Sequence, residues 1–240
     1  MTIQQNYHQL LQNVDQAAQT VGKTKEDITI VVASKYAKND QLKEVIDAGA
    51  TIIGENRAQD LTEHQSSISN SHVDTSQLQW HFIGHLQTNK INKILGSIDM
   101  LHSLDSFELA EALDTRIAMR PWDSEPMKLP VLIEINIAND PDKFGIKPEE
   151  LETFLSQLDP LTHLSPQGLM TVGKIWENEQ EARIHFAHMR TLLYQFIRNS
   201  QLDSSQFKPQ LSMGMSRDYT WAIEEGATMI RVGSALFNKD

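Results

Sequence analysis

The chain has 240 residues, no cysteine, and 21 basic against 32 acidic residues, for a net charge of −11. This excludes a disulfide framework, a thiolate nucleophile and a sulfur-bound metal, and it opposes general binding to nucleic acid. No apolar run approaches the ~20 residues that span a bilayer, and the N-terminus lacks a secretory leader pattern, so a cytoplasmic protein with no membrane contact is expected.

Residues 5–21 carry Tyr7, Leu10, Leu11, Val14, Ala17, Ala18 and Val21, a helical stripe closed by Gly22. Alternating units follow. An apolar strand at 28–34 precedes a helix capped at Asp40 and closed by Gly49, and strand 51–55 leads to a short helix near 57–63. Strand 80–84 precedes a helix bearing Ile91, Ile94 and Leu95, and strand 100–104 precedes one capped by Ser106. The longest apolar strand is 131–137; Pro148 then opens a helix with Leu151, Phe154, Leu155 and Leu158 on one face. Strand 168–172 leads to a long helix near 178–198, and strands 210–214 and 228–232 end the series. Polar stretches at 64–79 and 121–129 read as insertions between a helix and the next strand.

Eight strands, each but the last clearly followed by a helix, with one leading helix, predict a single-domain (β/α)8 TIM-type barrel over residues 1–240. A doubly wound open sheet is the alternative. It would more often place a Gly-rich loop after the first strand, where this chain has Ser34-Lys35-Tyr36.

A barrel gathers the C-terminal ends of its strands on one rim, where sites form. Lys35 at the end of the first strand would point into the cavity there, partly desolvated, with a nucleophilic amine; the alternative is a snorkelling lysine with its head in water. Ser216 is placed to cap a helix at 217–225 that ends at Gly226, and Gly233-Ser234 makes a second turn of small residues; both turns suit an anion such as a phosphate group. Glu55 is the single acid expected at the rim, either as a base or as a structural acid. His81 and His85 sit on a strand-to-loop segment and His185 and His188 on an outer helix, so neither pair supplies the three or four converging ligands of a metal site.

Val32-Ala33-Ser34-Lys35, Gly54-Glu55-Asn56, Trp80 through Lys90 (WHFIGHLQTNK), Gly168-Leu169-Met170-Thr171, Leu211 through Ser216 (LSMGMS) and Arg231-Val232-Gly233-Ser234 occur in that order along the chain. In them the chain resembles the pyridoxal phosphate homeostasis proteins, single-domain relatives of the alanine racemase barrel with the type III fold of pyridoxal-phosphate proteins. The resemblance implies pyridoxal 5′-phosphate (PLP) as cofactor, held on Lys35 as an internal aldimine. It implies that Ser216 and the backbone amides of Gly233 and Ser234 hold the phosphate, that Arg231 faces the pyridine nitrogen, and that Asn56, His81 and Met213 line the ring. Met213, from its residue type alone, is ordinary core filler.

Departures from the family pattern are Tyr36, Asn39-Asp40, Arg57, Asn92 and Asn238; Tyr36 and Arg57 are close enough to alter the cavity's polarity. Racemases of this barrel type carry a second, β-rich domain with an acid/base group, and this chain ends at Asp240, just after the eighth strand. The expected function is therefore a non-catalytic, monomeric carrier or regulator of PLP in vitamin B6 and amino-acid homeostasis, with PLP-dependent apo-enzymes as candidate partners. The alternatives are a weak PLP-dependent racemase using Lys35 as its base, and a regulatory protein recognised in its PLP-bound form.

Overall fold

Eight parallel strands close into a barrel in chain order, with the last paired to the first, in a computed structural model that describes residues 1–122, 128–174, 176–199 and 208–237 and leaves the Tyr36 side chain aside. The strands are β1 (Thr29–Ala33), β2 (Ile52–Glu55), β3 (Gln79–Phe82), β4 (Met100–Leu104), β5 (Leu129–Glu134), β6 (Leu164–Met170), β7 (Gln210–Ser212) and β8 (Met229–Val232). Helix α1 (Ile3–Thr20) leads, opened by a capping box in which Thr2 and Gln5 satisfy each other's backbone N–H. The barrel helices are α2 (Asn39–Asp47), α3 (Ala58–Ser69), α4 (Ile91–Ile94), α5 (Phe107–Met119), α6 (Leu151–Leu158), α7 (Glu179–Asn199), α8 (Tyr219–Glu224) and α9 (Ser234–Phe237).

Two apolar clusters follow from strand alternation. The larger lies between the sheet and the helices and takes Val32, Ile53, Phe82, Leu101, Ile133 and Leu169 from the strands. The smaller holds Val31, Ala33, Ile83, Leu132, Met170 and Met229, which fill the barrel itself. Gly54 leaves room at this level, since a Cβ on it would stand 2.7 Å from Val31 and 2.9 Å from Ile83.

The barrel, the leading helix, the Ser106 cap and the glycine stops at Gly22, Gly49 and Gly226 match the reading from sequence. Three local expectations change. Helix α3 runs to Ser69, because Leu61, His64 and Ile68 form a buried stripe that the Ser-rich composition hides. Helix α2 starts at Asn39 on a box in which the Gln41 side chain accepts from the Lys38 N–H at 2.9 Å, so Asp40 lies in the first turn instead of at the cap. Strands β5 and β6 begin earlier than expected and end before Ile135 and Thr171. The effects expected of Tyr36's side chain and Asn238 fall outside the described residues.

Candidate functional site

At the ends of the strands, hydroxyl side chains tie three neighbouring pairs, β1 to β2, β3 to β4 and β5 to β6. Ser34 Oγ donates to Gly54 O at 3.0 Å, Ser103 Oγ to Gly84 O at 2.6 Å and Thr171 Oγ1 to Ile135 O at 2.7 Å.

Lys35 follows β1 by two residues, in a 3-10 turn over Ser34–Tyr36 closed by the Ala37 N–H on Ser34 O. Its side chain is exposed, which corrects the desolvated setting expected from the strand pattern. The turn lifts the residue off the sheet, whereas a further strand residue would have pointed into the barrel. Strand β8, which pairs with β1, brings Gly233 against Ala33: a Cβ on Gly233 would lie 2.7 Å from Ala33 O. The Gly233-Ser234 turn is thus a close neighbour of the lysine segment.

Ser216 does not cap a helix. Helix α8 starts at Tyr219, and Asp218 occupies the turn before it, accepting from Met215 N–H at 2.6 Å and from Trp176 Nε1–H at 2.7 Å. The position before that helix is therefore taken by a carboxylate, and Ser216 turns away from it. Ser216 Oγ instead accepts from the Gly233 N–H at 3.2 Å and the Ala235 N–H at 3.3 Å. One oxygen receiving two backbone donors marks where a phosphate oxygen can sit. Ala235 was absent from the sequence reading; no side-chain signal could have pointed to a backbone donor.

Arg231 is buried inside the barrel. Its Nη1 donates to Ser212 O at 2.9 Å and Ser212 Oγ at 2.6 Å, and its Nη2 to Thr171 O at 2.7 Å. Burial lowers its pKa to about 10, against the upward pull of Glu134 and Asp218, so it stays a cation at neutral pH. Ser212 Oγ lies 3.3 Å from His102 Nδ1, and His102 Nε2 lies 3.0 Å from His81 Nδ1. Burial pushes His81 down to about 4; burial, then His81 and Arg231, push His102 well below the usual imidazole range. Both rings are neutral at pH 7.

Asn56 is half-buried at the end of β2, and its Oδ1 is buried without a partner. Such an atom is costly unless a ligand or water meets it. Met213 is fully buried in the sheet–helix core. Glu55 is not a rim group: it faces outward, where His64 Nδ1 meets its Oε1 at 2.6 Å and has its own pKa raised by that contact. An acid that does lie inside the barrel is Glu134, missed because the apolar run at 131–137 does not say which of its faces is inner. Burial first, then the Asp105 charge, raise it to about 7, and Arg231 opposes them. His102, also missed, is a lone imidazole in the strand Met100–Leu104, a signal that alternation could have exposed. Over the rim, His85 Nδ1 meets Asp105 Oδ2 at 2.8 Å while its ring stacks on Phe144 at 3.6 Å. Among the described residues no three metal-binding side chains gather, and no helix is long and apolar enough to cross a membrane.

The model of the alanine racemase N-terminal domain matches residues 3–239. The chain belongs to that family. It is similar to the pyridoxal phosphate homeostasis protein of Aquifex aeolicus, at 32% identity over 96% of this chain and 95% of the relative. The crystal structure of an unknown protein from Bifidobacterium adolescentis is similar to it at a TM-score of 0.87 and 29% identity, covering 98% of this chain and 94% of that one. PipY of Synechococcus elongatus, in a structure with PLP bound, matches at a TM-score of 0.77 and 30% identity over 94% of this chain and 99% of PipY. As a member of this family, the chain offers a set of groups that suits a phosphorylated pyridine aldehyde: a lysine on an exposed turn, two backbone amides gathered on one hydroxyl oxygen, a buried cation, and an unpaired amide oxygen.

Proposed function

We propose that this chain binds PLP covalently through Lys35 and serves as a carrier or regulator of the cofactor, without catalysing a reaction of its own. The observation that carries this reading is the adjacency of an exposed amine and an anion cradle on neighbouring strands, with Gly233 against Ala33 two residues before Lys35. Lys35 Nζ would take the cofactor's aldehyde, and Ser216 with the amides of Gly233, Ser234 and Ala235 would hold its phosphate. Arg231 would sit toward the pyridine nitrogen; a guanidinium keeps its proton, so that nitrogen stays unprotonated. Asn56 and His81 would contact the ring, while Met213 supports the strand from the core.

The bound cofactor would supply an electron-withdrawing ring, and the residues around it would weaken that property, which favours storage over turnover. Relatives named for pyridoxal phosphate homeostasis support the same reading, and the buffering of vitamin B6 is the role it gives the chain. Cytoplasmic PLP-dependent apo-enzymes are the partners it suggests.

The test is an absorbance spectrum of the purified protein with PLP, followed by borohydride reduction and peptide mass spectrometry. Reduction should fix pyridoxyl on Lys35 alone, and Lys35→Ala should give neither the visible band nor the adduct. An adduct on another lysine, or a reducible cofactor retained by Lys35→Ala, would overturn the assignment.

A further inference from the structure

The buried polar chain beneath the site has a direction. Arg231 can only donate, and its Nη1 spends hydrogen bonds on Ser212 O and Ser212 Oγ. A serine hydroxyl has one proton. Having accepted from Arg231, Ser212 Oγ has one other partner among the described residues, His102 Nδ1 at 3.3 Å. Its proton therefore goes to Nδ1. The reverse arrangement, with His102 Nδ1–H donating to Oγ, would leave the hydroxyl proton of a fully buried serine without an acceptor among those residues.

A neutral imidazole that accepts at Nδ1 carries its proton at Nε2. His102 Nε2 lies 3.0 Å from His81 Nδ1, so His102 donates and His81 accepts. The proton of His81 is then at its own Nε2. That nitrogen has no partner among the described residues, yet it is not one of the fully buried unpaired atoms, which are Asn39 Oδ1, Glu55 Oε2 and Asn56 Oδ1. It borders space that solvent or a ligand can reach.

We propose that Arg231, Ser212 and His102 form a one-way hydrogen-bond chain that fixes His81 as a donor through Nε2–H, so that His81 recognises an acceptor atom on the ligand and cannot take a proton from it. Ser212 and His102 are positioning residues here, acting through His81. Neutrality of both rings follows from their burial, to which the cation of Arg231 adds at His102. Glu134, also inside the barrel, is raised to about 7 by its burial, so below neutral pH it is mostly uncharged and adds little pull toward protonating either ring. The tautomer assignment is independent of any ligand, whereas the recognition of an acceptor rests on the PLP reading above.

Nitrogen-15 NMR of histidine-labelled protein reads ring tautomers directly. Without ligand at neutral pH, both His81 and His102 should show a protonated Nε2 and an unprotonated Nδ1. Ser212→Ala should drive both rings toward mixed tautomers, and Ser212→Thr, which restores a hydroxyl, should recover the single form. A protonated Nδ1 on either ring of the wild type overturns the chain, as does Ser212→Ala with tautomers unchanged. On adding PLP, the His81 Nε2 proton should shift while Nδ1 stays unprotonated. PLP bound with that proton unmoved overturns the recognition step; PLP that fails to bind overturns the cofactor reading and leaves the tautomer result standing.

Discussion

Gly84 lies so close to the backbone of Asn56 that a Cβ on it would stand 2.3 Å from the Asn56 carbonyl oxygen and 2.8 Å from its Cα. The ends of β2 and β3 meet there without a side chain between them, and Ser103 Oγ locks Gly84 O from the other side. Asn56, with its unpaired Oδ1, is held in place by this contact.

Gly84→Ala should therefore act on both stability and binding. Backbone atoms must move, and overpacking of this kind costs about 1–3 kcal/mol. Urea unfolding should show that loss, and absorbance titration should show weaker PLP binding because Asn56 has shifted. Wild-type values in both measurements would mean that the two strand ends can part without consequence.

Arg231→Gln separates two roles for the cation. Glutamine cannot replace both donors that Arg231 aims at Ser212 O and Thr171 O as well as the one to Ser212 Oγ. Losing charged hydrogen bonds in a buried setting should cost about 2–3 kcal/mol. The visible spectrum of bound PLP should change, while competition by inorganic phosphate should stay near the wild-type level. Equal weakening of PLP and phosphate would move Arg231 into the phosphate cradle.

Glu134 gives the fold a pH dependence of definite sign. Unfolded, it ionises near 4.5; folded, burial holds its proton up to about 7. Between those values the unfolded chain binds fewer protons, so the group's contribution to stability falls as pH rises. Above pH 7 the penalty is complete, at roughly 3 kcal/mol. His81 acts in the opposite sense, costing stability as pH falls from 6.5 toward about 4, because the unfolded ring protonates first, and His102, held well below its usual range by burial, acts in the same sense. Glu134→Gln should gain on the wild type above pH 7 and lose that advantage near pH 4.5, in urea midpoints compared across pH without PLP. A constant offset between the two proteins would rule out ionisation of Glu134 as the cause.

Alanine racemisation should stay at the level of free PLP. A positioned general acid contributes ~10²–10⁴-fold, and His81, with Nδ1 engaged and its pKa pushed down to about 4, is a poor proton shuttle at neutral pH. Chiral chromatography of L-alanine incubated with the PLP-loaded protein reads this. Turnover at an ordinary enzymatic rate, lost in Lys35→Ala, would favour the racemase alternative.

Much of the architecture was legible without coordinates because its determinants are local. Apolar periodicity marks strands and helices, glycines at Gly22, Gly49 and Gly226 adopt the positive φ that stops a helix, and Ser106 caps its own helix three residues on. Alternation of those elements then leaves few folds, and the order of the motifs narrowed them to one family. Tertiary structure alone decided what each site residue faces. Glu55 and Glu134 both lie on short apolar strands, yet one points to α3 and the other into the barrel, since a side chain's face depends on register with its neighbours. Ser216 reads as a helix cap from its immediate neighbours, but its partners stand 17 and 19 residues away on the next strand's turn. Lys35 looks buried from the strand it follows, and a single turn of 3-10 helix exposes it. The sequence by itself determined the order of strands and helices and the family, because apolar periodicity and short motifs are set within a few residues, while several element boundaries were not. The alignment of Arg231, Ser212, His102 and His81 exists only once the barrel has closed, because it joins β3, β4, β7 and β8, which the chain keeps up to 150 residues apart.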